Sequence, residues 1–156
     1  MAFTNSNDYI TGRAPLPSPV GSEVLCVRFT LAMALADLAL NTIGQIGFLP
    51  SGCLPVEVRV DGTDMDSGAG AGVFQVGIWD GSSANLSSSA ADGGGAWGDT
   101  GTAVATAFDK ALTRTLNNMA TVTKTDADRK LGVKVTTAPS TAVAGTLGVT
   151  LFYKAA

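Results

Sequence analysis

The densest group of side chains able to do chemistry lies in the turn VDGTDMDSG, which carries Asp61, Asp64 and Asp66. Three carboxylates on one flexible turn could share a calcium ion, a hard cation that takes 6–8 oxygen ligands. The spacing departs from an EF-hand loop, however. Counted from Asp64, the fifth, sixth and twelfth positions are Gly68, Ala69 and Gln75, where that loop needs an acidic or amide residue, Gly and Glu. The simpler expectation is an acidic turn whose Asp side chains bond local backbone. No metal and no cofactor is expected.

Other catalytic sets are incomplete. The chain has no histidine, which removes Ser-His-Asp and Cys-His catalysis, imidazole metal sites and the commonest general base. Glutamate occurs only at Glu23 and Glu57, and no pair of carboxylates falls beside a recognisable apolar pocket, as glycoside hydrolysis would need. Gly68–Gly72 is glycine-rich but lacks the Lys-Ser/Thr of a phosphate loop. Asn85-Leu86-Ser87 is a glycosylation triplet, which chance explains. Trp79, Trp97, Tyr9 and Tyr153 do not form a readable platform for bases or sugars. The chain is not expected to be an enzyme.

Cys26 and Cys53 are too few for a disulfide framework and lack CxxC spacing. A bridge between them would be worth about 3 kcal/mol. Both fall on the apparent solvent parity of their strands, and two reduced thiols are the expectation, with pairing left open.

The elements that position these residues are strands. Leu54, Val56, Val58 and Val60 alternate with Pro55, Glu57, Arg59 and Asp61, a period of two that marks a strand with one face in a core. Phe74, Val76 and Ile78 resume the alternation beyond the acidic tip. Earlier, Leu25, Val27, Phe29, Leu31 and Met33 form a long apolar face. The ALADLALN stretch connects it to a short strand at Ile43–Leu49, interrupted by Gly44 and Gly47. Leu131, Val133 and Val135, then Leu147, Val149, Leu151 and Tyr153, close the chain. Val104, Ala107, Phe108, Ala111 and Leu112 fall at helical spacing, so one short helix is expected at about 102–116. Asn117–Thr125 is weakly strand-like. Short strands at this spacing predict an all-β fold, a β-sandwich of jelly-roll type, with a closed barrel as the competitor.

The predicted organisation is an extended arm at 1–21 and a single sandwich domain at 22–156. Pro15, Pro17 and Pro19 favour extended backbone in the arm. Phe3, Tyr9 and Ile10 ride on it, either to reach a neighbouring subunit or to fold along their own domain. Residues 81–101 lack any apolar period, and Trp97 is expected to be exposed there unless it folds back or meets a partner.

Composition bounds the partners. The 156 residues are 46% apolar and only 15% charged, so Ser, Thr, Ala, Gly and Asn cover much of the surface. Little charge then has to be desolvated in a protein contact. The net charge of −3 argues against non-specific nucleic-acid binding. Residues 1–100 carry 3 basic and 10 acidic side chains (net −7), the remainder 7 basic and 3 acidic (net +4). Strands from both halves are expected to interleave and cancel this split. No stretch approaches the 18 or so apolar residues of a membrane span, and MAFTNSNDYITGR lacks the n- and h-regions of a signal peptide. A soluble protein made in the cytoplasm is expected.

The order of arm, SEVLCVRFTLA, FLPSGCLPVEVRVDGTDMDSG, FQVGIWDG and DRKLGVKVTTAPSTAVAGTLGVTLFYK resembles capsid decoration (cement, head-stabilising) proteins of tailed bacteriophages. It is a pattern of strands and turns over most of residues 22–153, from which the 81–101 loop departs. The resemblance implies a jelly-roll sandwich that binds across neighbouring major capsid protein subunits on the virion surface, as a dimer or trimer. Phe3, Tyr9, Ile10 and the tips at 61–72 and 81–101 are then the expected contacts, and loss of residues 1–20 is expected to abolish addition to shells with the fold intact. A glycan- or receptor-binding sandwich is the alternative, with Trp97 as its aromatic.

Overall fold

The computed structural model describes residues 2–68, 70–101, 107–114 and 118–156, with backbone alone at Thr113 and Arg114. The strands are β1 (Val24–Met33), β2 (Ile43–Leu49), β3 (Cys53–Gly62), β4 (Val73–Ile78), β5 (Gly98–Asp99), β6 (Phe108–Ala111), β7 (Thr113–Arg114), β8 (Arg129–Thr137) and β9 (Gly145–Ala155). They form two antiparallel sheets, β1-β9-β3-β6 and β2-β8-β4-β5-β7. The pairs β1·β9, β2·β8, β3·β6 and β4·β5 are those of one long hairpin rolled up on itself, with the β1–β2 and β3–β4 connections crossing between sheets. This is the jelly roll, closed by apolar faces on both sheets.

The alternating residues account for the core. Val27, Phe29, Leu31 and Met33 on β1 meet Leu147, Val149, Leu151 and Tyr153 on β9, and Leu131, Val133 and Val135 on β8 face them with Phe74, Val76 and Ile78. Burying each large side chain contributes about 1.5–3 kcal/mol, offset by ordering the chain.

Three expectations are corrected by local detail. On β3, Val58 and Val60 are buried, but Leu54 and Val56 are only half-buried, while Cys53 and Pro55 point inward. A bulge between Pro55 and Glu57 shifts the register and flips the parity of everything before it. Cys53 is therefore a core residue, whereas Cys26 is exposed on the outer face; both are free thiols. Second, Phe108–Ala111, within the stretch with helical spacing, is a strand along the free edge of β3; residues 102–106 and 115–117 lie outside the described residues. Backbone pairing with an open edge there prevails over side-chain spacing. Third, Met119–Thr121 is a single 3-10 turn rather than strand.

The two glycines of β2 are sockets. A methyl group on Gly47 would lie 2.5 Å from the ring of Phe29, and one on Gly44 would meet the ring of Phe3. The outer face of the β8 sheet carries a second, smaller core of Ile43, Trp79 and Leu86, where Trp79 lies over Gly132.

Candidate interaction surfaces

The arm is a strap over the gap between the β1 and β2 edges. Asn7 organises it: its Nδ2 donates to Thr30 O on β1 (3.1 Å) and to Ile46 O on β2 (2.7 Å), and its Oδ1 accepts Ile10 N–H (3.0 Å). Asn5 Nδ2 donates to Ala32 O at 2.6 Å, sealing another edge carbonyl. Thr4 donates through both N–H and Oγ1 to Asp37 Oδ1, and Asp37 Oδ2 accepts Ala34 N–H at the start of the 3-10 turn Leu35–Leu38. Phe3 sits in the Gly44 socket, and Tyr9 meets Phe29 edge-on with centroids 5.0 Å apart. Tyr153 donates its hydroxyl to Pro17 O at 2.5 Å, and burial pushes this phenol up to about 12.

Phe3, Tyr9 and Ile10 are thus half-buried against their own domain. Tyr9 and Ile10 still line an open groove of about 420 Å³ with Pro15, Leu16, Phe48 and Pro50. Truncation at residue 20 would strip packing from the core, so it is not a clean removal of a free arm.

Trp97 folds back on the core and is not an exposed contact residue. Its side chain is only 1% exposed, packed in the main core, with Nε1 donating to Asp92 O at 2.9 Å. The 81–101 segment is held by long-range ties. Arg129 Nη1 donates to Ala91 O and to Asp92 Oδ1 (3.1 and 3.2 Å), and Asn118 Nδ2 donates to Ala96 O at 2.7 Å. Gly93 has a left-handed φ of 96°, and a side chain there would strike Asn118 O. A glycine-rich stretch thus folds closely over the sandwich, and its tryptophan offers no exposed platform for a sugar.

The three aspartates do not converge. Asp61 pairs with Arg28 across β9, above Gly148, where any side chain would collide with both partners. Asp64 Oδ1 accepts Asp66 N–H at 3.0 Å. Asp66 is fully buried, and its carboxylate accepts N–H groups of Gly68, Ala71, Ser140 and Thr141 and the Ser140 hydroxyl, all at 2.9–3.0 Å. Burial alone raises its proton affinity, but these donors outweigh burial and hold it well below the usual carboxylate range. A carboxylate ringed by donors in this way acts as a structural hub. It welds the β3–β4 loop to the β8–β9 loop, with Ser67 N–H to Thr141 O (3.0 Å) and Val143 N–H to Met65 O (3.1 Å) alongside.

The outer face of the β1-β9-β3-β6 sheet carries a second ion pair, Arg59–Asp109 at 3.1 Å. With Arg28, Asp61, Phe108 and Thr150 it lines an open cleft of about 590 Å³. Its charges are mutually paired. Burial raises the Cys53 thiol, with Asp128 adding to the effect, so this cysteine stays protonated and a poor nucleophile. No group of three or more Cys, Asp or Glu able to hold a metal occurs among the described residues.

No family model and no curated protein matches the sequence. Solved structures do share its fold. A chain of the capsid of Ralstonia phage GP4 is 24% identical, with a TM-score of 0.72 over 97% of each chain. A chain of the cyanophage Pam1 capsid asymmetric unit is 19% identical, with a TM-score of 0.59 over the whole of each chain. At these identities the likeness establishes the fold, a jelly roll of the same extent as chains found in phage capsids.

Proposed function

We propose that this chain is a structural virion protein that binds the outer surface of an icosahedral phage capsid and cements neighbouring major capsid protein subunits. The observation that carries the reading is the full-length likeness of the whole jelly roll, strap included, to chains of two phage capsids. The site chemistry agrees with it: Asp61 and Asp66 are taken up by structural partners and the buried Cys53 thiol stays protonated. Packaged DNA loads the seams between shell subunits, and a protein engaging two subunits opposes their separation. Bivalent attachment raises effective affinity by roughly 10²–10⁴ even where each contact is modest. A dimer or trimer on a local symmetry axis follows the usual closed symmetry of such assemblies.

Co-sedimentation of the purified chain with shells of its source phage that lack it tests this. Saturable binding at a fixed ratio to the major capsid protein, with a raised shell disruption temperature, is expected. Shells that neither take up the chain nor gain stability would refute the proposal.

A further inference from the structure

Resting on that reading, we infer that the end of the sandwich formed by the β1–β2 and β8–β9 connections is the foot that docks on a charge-poor surface of the shell subunits. The topology puts these connections side by side. Met33 pairs with Gly145, so residues 34–42 leave β1 where residues 138–144 enter β9, and Asn41 N–H donates to Val135 O where the connector reaches β2. Both segments cross from one sheet to the other over the same end.

What they expose is apolar. Leu35 and Leu40 are each 57% exposed and Val143 40%, three of the five exposed large apolar side chains among the described residues. Ala36, Ala39, Ala142 and Ala144 are exposed between them. Charge is nearly missing. Residues 34–42, 138–144 and the described part of 63–72 include Asp37, Asp64 and Asp66, of which Asp37 and Asp66 are buried. Asp64 is the one charge these segments expose. The opposite end, by contrast, shows Asp80, Lys124, Asp126, Asp128, Lys130 and Lys154. Interface centres are depleted of charge in this way.

The foot is also held rigid. The Asp66 hub fixes the β8–β9 loop from below, and Asp37 anchors the connector through Ala34 N–H and Thr4. Such preorganisation lowers the ordering cost of docking.

Area decides between occupants. The patch is on the order of a few hundred Å², whereas a stable free dimer needs about 800 Å² per partner. It is too small to hold a second copy in solution and suits one foothold of a multivalent attachment. A surface without charges also disfavours nucleic acid, whose binding comes from phosphate neutralisation.

The test uses the full chain, the source phage's shells lacking it, and two variants, Leu35→Asp/Leu40→Asp and Val143→Lys, with Lys124→Asp as control. Wild-type and control binding should be equal and change little between 50 and 500 mM salt, to the order expected for uncharged contacts. The double variant should bind about a hundredfold more weakly, with an unchanged melting temperature. If the double variant melts early, Val143→Lys carries the comparison. Variant binding equal to wild type would overturn the foot while leaving the cement reading intact; wild-type chain that fails to bind shells would overturn the cement reading itself. Concentration-dependent dimerisation abolished by the double variant would show that a second copy occupies the patch, and would overturn the assignment to the shell.

Discussion

Replacing Asn7 by alanine cuts the tie between the edges of the two sheets. The amide makes three hydrogen bonds, to Thr30 O, Ile46 O and Ile10 N–H. Ile46 is fully buried, so its carbonyl would lose its partner away from water, while Thr30 is exposed and its carbonyl can be resolvated. One unsatisfied buried acceptor costs about 1–3 kcal/mol, and the exposed bonds add little, for about 2 kcal/mol in all. In a domain of this size each kcal/mol moves the melting temperature by about 2–4 °C, so a fall of about 4–8 °C is expected. Asn7→Asp should be worse than alanine, because it sets a carboxylate against two carbonyl oxygens in place of a donor. The assay is thermal unfolding alongside trypsin cleavage after Arg13, the one basic residue of the strap. Cleavage should accelerate as the strap lifts. Unchanged melting and cleavage in Asn7→Ala, or an Asn7→Asp variant as stable as wild type, would refute the strap geometry.

Other consequences are equally direct. Gly47→Ala should cost about 1–3 kcal/mol by overpacking the Phe29 ring, with partial recovery in Gly47→Ala/Phe29→Leu. Gly148→Ala, which only displaces the ends of the exposed Arg28 and the half-buried Asp61, should cost less than about 1 kcal/mol; chemical denaturation orders the two. Because the folded-state pKa of Asp66 is depressed, its stabilisation is complete above the unfolded value near about 4 and is lost as pH falls below it. The melting temperature should therefore drop more steeply below about pH 4 in wild type than in Asp66→Asn, and equal acid slopes would contradict the hub. Trp97→Ala should destabilise by about 3–5 kcal/mol and remove the tryptophan emission most shielded from acrylamide; a neutral substitution would contradict its burial. Calcium and chelator should give the same melting curve, since Asp61 and Asp66 already hold structural partners; a shift of several degrees, roughly 1 kcal/mol or more, would revive the ion site.

The residues that could be read along the chain were those whose role is local. Alternation on β1, β8 and β9 exposes itself in sequence because each side chain's face follows from its neighbours two positions away. That logic failed where one extra residue entered β3: the bulge after Pro55 moved Cys53 inward and left Leu54 and Val56 half out. Gly44 and Gly47 resemble strand breakers, yet they are flat seats for rings that arrive from Phe3 and Phe29. Asp66 looks like one of three loose carboxylates, but donors that fix it lie 74 and 75 residues away at Ser140 and Thr141. Trp97 is hidden for the same reason, since Arg129 and Asn118 hold its segment from other elements. At 102–116 side-chain spacing suggested a helix, and the open edge of β3 took Phe108–Ala111 as strand. The contact surface inferred at the connector end was legible only after the topology joined residues 34–42 to 138–144.

The most direct test of the cement reading is electron cryomicroscopy of source-phage shells with and without the chain. Difference density is expected on the outer surface, fitted by the jelly roll with Leu35, Leu40 and Val143 toward the shell and touching at least two major capsid protein subunits. No added density, or a chain that touches a single subunit or itself forms the continuous shell, would contradict it.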